Sequence, residues 1–202
     1  MKGLLLKDFY LMKKYCRTYL FIAAIFAITS IYTDNLFFIF YPCILISLIP
    51  MTLYTYDEKE RWCAYCLTLP VKRSQYVNAK YFCGLICTII ISVVMTLAYG
   101  LKSTENINLL NFSVLLAANI CVGLLCQSVT LPLVLKFGAE KARMIYYLII
   151  CIACAVSVII FQGVTFTKFK TDLFGITFFV LIIVLYAFSW IISIKIFEKK
   201  EL

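Results

Sequence analysis

The sequence predicts an all-α membrane protein with six transmembrane helices, and three observations carry that prediction. Apolar residues fill 64% of the 202 positions and charged residues only 14%, against about 45–50% and about 25% in soluble domains. Six stretches contain no Asp, Glu, Lys or Arg: 18–33, 35–56, 81–101, 106–135, 144–167 and 173–194. Runs such as FFVLIIVLYAFSWIISI are apolar on every face, which excludes the period-2 alternation of a transmembrane β-barrel. A helix needs about 20 apolar residues to cross a hydrocarbon core about 30 Å thick. The first stretch, at 16 residues, spans if Tyr15, Tyr19 and Tyr32 sit at the interfaces and Arg17 snorkels outward.

The elements follow in chain order. Residues 1–17, MKGLLLKDFYLMKKYCR, are too short and too basic to span. Leu4, Leu5, Phe9 and Met12 recur at helical spacing among Lys2, Lys7, Lys13 and Lys14, which predicts an amphipathic helix lying in the membrane interface. The segment lacks a clear small-residue cleavage site and more spans follow, so it is expected to stay on the chain. Span one (18–33) and span two (35–56) form an antiparallel hairpin about the turn Tyr32-Thr33-Asp34-Asn35. Pro42 and Pro50 each delete a backbone hydrogen bond in span two and predict two bends there.

The most polar stretch, DEKERWCAYCLTLPVKRSQYV (57–77), separates spans two and three. Asp57 to Leu69 reads as a short amphipathic helix, with an Asp57/Arg61 pair at i, i+4 and Trp62, Tyr65 and Leu69 near one stripe. Pro70 stops it, and Ser74 is placed to cap a second helical segment running through Lys80 into span three (81–101). Span four (109–135) carries Asn119, Gln127, Ser128 and Thr130, which either face neighbouring helices or line a substrate path. Spans five (144–164) and six (174–194) flank the segment FQGVTFTKFKTDLFG. No linker or repeat divides the chain, which predicts one transmembrane domain over 1–202.

Charge fixes the expected orientation. Sixteen of the nineteen Lys and Arg residues fall in the N-terminal segment, the 57–80 island, the 136–143 loop and the tail; only Lys102, Lys168 and Lys170 lie on the other side. The positive-inside rule then puts both termini and the island in the cytoplasm. Topology and attraction to anionic lipid account for the net charge of +9 without nucleic acid.

Catalytic chemistry finds little material. The chain has no His, no GxxxxGK[ST] phosphate loop and no carboxylate within a predicted span, so a proton acceptor, a nucleotide site and an ion-coupling group are all missing from the sequence. No cofactor or metal is expected on this chain. Cys63 and Cys66 form a CxxC, but a zinc site needs about four ligands and the island supplies two thiols and no imidazole. Most of the ten cysteines fall in predicted spans, as packing residues do. An amphipathic cytoplasmic helix between spans two and three, presenting acids and arginine, is instead suited to docking a soluble partner, and an interfacial helix that only anchors the loop would have the same composition.

The order of features resembles the permease subunits of ABC transporters of the type-2 exporter class. In small bacterial permeases of this kind an ER(W)…LP(V)…R…(I/V)…AKY pattern recurs, matched here by Glu60, Arg61, Trp62, Leu69, Pro70, Arg73, Val77, Ala79, Lys80 and Tyr81. The resemblance implies a multi-pass protein of the bacterial cytoplasmic membrane. It implies that 57–69 is a coupling helix contacting a separate cytoplasmic ABC ATPase, which binds the ATP and Mg, through Asp57, Glu58, Glu60, Arg61, Trp62, Tyr65 and Leu69. It further implies a second permease copy or related chain, with export of an apolar or amphipathic cargo such as a peptide, bacteriocin or toxin along the shared interface. Two other classes remain open at this point: a scaffold or sensor that docks a regulatory protein, and an ion-coupled carrier.

Overall fold

The computed structural model of the chain describes residues 2–32, 37–62, 65–66, 72–102, 109–149 and 171–199. Seven helices are bounded within them: α1 (Lys2–Tyr15), α2 (Arg17–Tyr32), α3 (Phe37–Ser47), α4 (Ile49–Lys59), α5 (Arg73–Lys102), α6 (Leu109–Phe137) and α7 (Thr171–Glu198). Residues 139–149 are also helical, and no strand occurs among the described residues. Among the described residues, four helices are long and apolar enough to cross a membrane: Phe37–Lys59, Arg73–Gly100, Phe112–Phe137 and Phe179–Glu198. A fifth is added if α1 and α2, bent by 67° about Cys16, count as one span.

The predicted first span coincides with α2, which at 16 residues is short by itself. The predicted fifth span, 144–164, lies within the described residues only as far as 149. Spans two, three, four and six coincide with α3–α4, α5, α6 and α7, though α5 begins eight residues before the expected 81 and α7 starts at Thr171. With 30 residues, α5 is about 45 Å long at 1.5 Å per residue, enough to span and still project a few turns beyond the hydrocarbon core.

Span two has one break where two bends were expected. Pro42 lies inside α3, which continues past it. The helix breaks at Leu48, with Pro50 in the first turn of α4, where its missing N–H is an unpaired helix-start donor anyway.

The central element is α5, which packs against all six other helices, while α6 and α7 form the most extensive pair. One apolar core joins Leu4 of α1, Met51 and Tyr54 of α4, Val77 and Tyr81 of α5, Leu131 and Leu135 of α6 and Ile182 and Tyr186 of α7. A second joins Ala23 of α2, Ile39 and Ile46 of α3, Leu53 of α4, and Ile91 and Met95 of α5. Opposite faces of α5 and α7 leave Ile86, Ile90, Leu97, Val184 and Phe188 exposed, the pattern of helices that bury one face in protein and give the other to lipid.

Two details fix how closely the helices approach. A Cβ on Gly84 of α5 would lie 2.9 Å from the Gln127 amide and from Pro50 Cγ, so glycine lets α4, α5 and α6 meet there. Gly138 ends α6 with φ +80°, the left-handed C′ position that L side chains rarely adopt. Its N–H closes on the Val134 carbonyl at 3.0 Å.

Candidate functional site

The polar island is built differently from a free-standing helix over 57–69. Asp57, Glu58 and Lys59 are the last turn of α4. A turn follows at Glu60 and Arg61, and Arg61 adopts φ +50°, uncommon for a residue with a side chain. Helical conformation resumes at Trp62 and is described at Tyr65 and Cys66; Leu69, Pro70 and Cys63 lie outside the described residues. Arg73 opens α5, which places Ser74 inside its first turn instead of at the cap.

Asp57 does not pair with Arg61. It is buried, accepts a 2.6 Å hydrogen bond from Lys7 Nζ and a 2.7 Å bond from the Tyr76 hydroxyl, and lies 2.7 Å from Lys80 Nζ. Lys80 also donates to Asp8 at 2.8 Å, and Lys7 lies 3.5 Å from Asp8. Four charges from α1, α4 and α5 thus form a neutral ring of alternating sign, Lys7–Asp57–Lys80–Asp8. The side chains of Lys80, Asp8 and Asp57 are 1–3% exposed, and that of Lys7 is 21% exposed. Removing one of the three buried members costs about 3–5 kcal/mol, since an opposite charge stays buried and unmatched; Lys7, at the rim, costs less to remove because Asp57 keeps Lys80 at 2.7 Å.

The sequence shows no ionisable group inside the six predicted charge-free stretches, yet three charged side chains are buried at the span ends. The signal was present in outline: Asp57 directly follows one charge-free stretch and Lys80 directly precedes the next. Asp8 was hidden among the lysines of α1. That helix turns Leu4 and Asp8 inward and packs Leu5 and Met12 on the cores, but Phe9, expected on the same stripe, is 57% exposed.

The remaining predicted docking residues face outward or half outward. Glu58, Glu60, Arg61 and Tyr65 are exposed, and Trp62 is half-buried against the core. The Trp62 and Tyr65 rings meet at 5.3 Å, and Lys7 Nζ sits 4.5 Å from the centroid of the Trp62 ring. Glu58 Oε2 accepts the Ala139 N–H at 2.9 Å, capping the start of helix 139–149 where an anion is favoured. Beside it lies a groove of about 260 Å³ lined by Thr55, Glu58, Lys59, Phe137, Glu140 and Lys141. Burial pushes the Cys66 thiol above its ordinary range, with Lys7 and Lys80 opposing and Asp57 reinforcing the shift. That disfavours a reactive or metal-binding thiolate. Among the described residues, no group of three or more His, Cys, Asp or Glu side chains is placed to hold a metal ion.

The polar residues of α6 lie within the single-chain bundle. Asn119, Gln127 and Thr130 are almost fully buried. Among the described residues, Thr130 bonds its own helix, through the Gln127 carbonyl at 3.4 Å, and both amide atoms of Asn119 find no hydrogen-bond partner. Gln127 and Ser128 enter a network centred on Tyr81. Pro132 has no N–H for the Ser128 carbonyl, and Ser189 Oγ of α7 donates to that carbonyl at 2.7 Å. With its proton so placed, Ser189 accepts from Tyr81 at 3.0 Å, and Ser193 donates to Tyr81 at 2.7 Å. The Tyr186 hydroxyl lies 3.3 Å from the Tyr81 carbonyl and 3.4 Å from Gln127 Oε1, and Trp190 stacks on Tyr81 at 5.3 Å. Lys80 and Tyr81, adjacent in the AKY match, therefore bind opposite halves of the bundle.

A family model for ABC-2 family transporter proteins matches residues 3–198. The chain belongs to the ABC-2 transporter family. It is accordingly the membrane permease component of an ABC transporter, whose ATPase activity resides in separate subunits. No curated protein matches the chain. Several apolar helices in an ABC-2 permease fit a multi-pass membrane protein.

Proposed function

We propose that the chain is the permease subunit of an ATP-driven exporter of the bacterial cytoplasmic membrane, with both termini in the cytoplasm. It pairs with a second copy or a related permease and moves an apolar or amphipathic cargo, of the peptide, bacteriocin or toxin kind, outward along their shared interface. A cytoplasmic ATPase, holding ATP and Mg, docks on the segment 57–69. The observation that carries this reading is the end of α4 and the turn after it in an ABC-2 permease: Glu58, Glu60, Arg61 and Tyr65 are exposed while Asp57 is tied to α1 and α5.

ATP-dependent closure of the ATPase pair favours one arrangement of the permease through differential contacts at this segment, and the spans follow as near-rigid bodies. Trp62 and Tyr65 supply the aromatic anchor, and Glu58, Glu60 and Arg61 set orientation. Leu69 completes the docking face. Gln127, through its amide oxygen, and Ser128, through its carbonyl, act as contacts to α7, and Asn119 and Thr130 are buried inside one chain. An ion-coupled carrier is disfavoured, since Asp8 and Asp57 are each matched by lysine at 2.6–2.8 Å and offer no open cation or proton site.

Purification of the tagged chain from its native membrane tests the reading. A co-purifying subunit with a GxxxxGK[ST] loop, whose turnover rises with the permease present, is expected. Recovery of a kinase or other regulator in its place, or gradient-driven transport without ATP, would overturn it.

A further inference from the structure

We infer that α1 belongs to the docking element and that Lys7 is the positioning residue that holds the 57–62 segment in shape; this rests on the exporter reading above. Lys7 reaches both sides of the turn at Glu60 and Arg61. Its ammonium bonds Asp57 Oδ1 at 2.6 Å before the turn and lies 4.5 Å from the Trp62 ring centroid after it. Between these two contacts sits Arg61 with φ +50°, a backbone state that persists only where surroundings enforce it. One side chain from another helix thus staples the turn that aims Arg61 and Tyr65 outward.

The next residue of α1 works in the other direction. Asp8 bonds Lys80 of α5 at 2.8 Å, fully buried. Consecutive residues of one helix cannot move independently, so displacement of the docking segment draws on Lys7, carries α1, and reaches span three through Asp8 and Lys80. The direct Asp57–Lys80 pair at 2.7 Å closes the ring. Lys7 is the only member with appreciable exposure, which places it at the rim and the other three inside.

Two readouts on the reconstituted chain test this. The first needs no ATPase: hydrogen exchange of 57–62 and of α1 in K7M is expected to quicken together by about ten-fold, with α6 unchanged. In K7R, which keeps the charge, exchange stays as in the parent. The second uses the ATPase that co-purifies with the parent chain: K7M is expected to lose about ten-fold of the stimulated turnover, K7R restoring it. Should K7M not insert, K7M/D57N, which removes a neutral pair and leaves Asp8 with Lys80, is read in the same way. Unchanged exchange at 57–62 refutes the positioning role whatever the ATPase does. Loss of affinity and turnover together, with unchanged exchange, also refutes it. Absence of any co-purifying ATPase with coupled exchange intact overturns the exporter reading and leaves the staple standing.

Discussion

Ser189→Ala offers a sharp test of how α6 and α7 are joined. Pro132 removes the donor that the Ser128 carbonyl would find one turn along in a regular helix. Ser189 Oγ, at 2.7 Å, supplies it from α7. Truncation to Ala leaves a carbonyl unpaired away from water, a loss of about 1–3 kcal/mol in buried sites. Hydrogen bonds between membrane helices average about 0.6 and reach about 1.7 kcal/mol. We expect about 1 kcal/mol, a change of about five-fold in the folded-to-unfolded ratio. Tyr81 also loses Ser189 as its acceptor at 3.0 Å but can turn its proton to Ser193 at 2.7 Å, so the larger part of the loss falls on the carbonyl.

Pro132→Ala restores the backbone donor, and in that background Ser189→Ala is expected to cost less than half as much. The assay is reversible unfolding by titration of sodium dodecyl sulfate into mild detergent, followed by fluorescence. Trp190, one of two tryptophans, stacks on Tyr81 beside this network and reports its loss. Equal costs of Ser189→Ala in the parent and in the Pro132→Ala variant would refute the reasoning, because the two donors would then not share an acceptor.

Other expectations follow from the same geometry. Gly138→Ala forces a Cβ to 2.9 Å from Glu58 Oε1 at φ +80° and is expected to cost about 1–3 kcal/mol in the same unfolding assay; no loss would mean the turn does not need glycine. Trp62→Ala or Glu60→Lys is expected to weaken co-purification of the ATPase about ten-fold or more without reducing membrane insertion, as loss of an interface anchor does. Full recovery of the ATPase with both variants would exclude the docking assignment. The Cys66 thiol, raised by burial, stays protonated at neutral pH, so in a variant with the other cysteines replaced its maleimide labelling should be slow and should climb as pH rises toward the elevated pKa. Rapid labelling at pH 7 would contradict that.

Much of the architecture is written in hydropathy. Charge-free stretches located α3–α4, α5, α6 and α7 because burying a charge at lipid depth is costly on any face of a helix. The start of α5 at Arg73 was legible within a residue from Ser74 after Pro70, although Tyr76, Val77 and Lys80 are buried against protein and give no apolar run to read. Partner choice was hidden more deeply. Asp57 and Arg61 have the i, i+4 spacing that stabilises a solvent-exposed helix, but the chain turns at Glu60 and Arg61 and Asp57 finds lysines 50 residues before it and 23 after. Spacing along one segment carries no information about such contacts. The acidic and aromatic character of the island was legible; the anchorage of Asp57 to α1 was not.

Lys80 and Tyr81 give the two halves of the bundle one mechanical axis. They are neighbours on α5, about 100° apart around a helix of 3.6 residues per turn. Lys80 binds the aspartates of α1 and α4, and Tyr81 binds α7 hydroxyls and stacks on Trp190. Tyr76, one turn earlier, donates to Asp57 and stacks on Phe197 near the end of α7 at 5.1 Å. A force applied at the end of α4 therefore meets α5 through ionic contacts, which break over short distances, and reaches α7 through α5 and through α6, on which α4 also packs. The charged ring is the short-range joint, and the aromatic and hydroxyl cluster is the broad one. If α5 is the lever, weakening the joint by Lys7→Met should uncouple without unfolding, whereas weakening the fulcrum by Tyr81→Phe, which leaves Ser189 and Ser193 without their shared partner, should lower stability first.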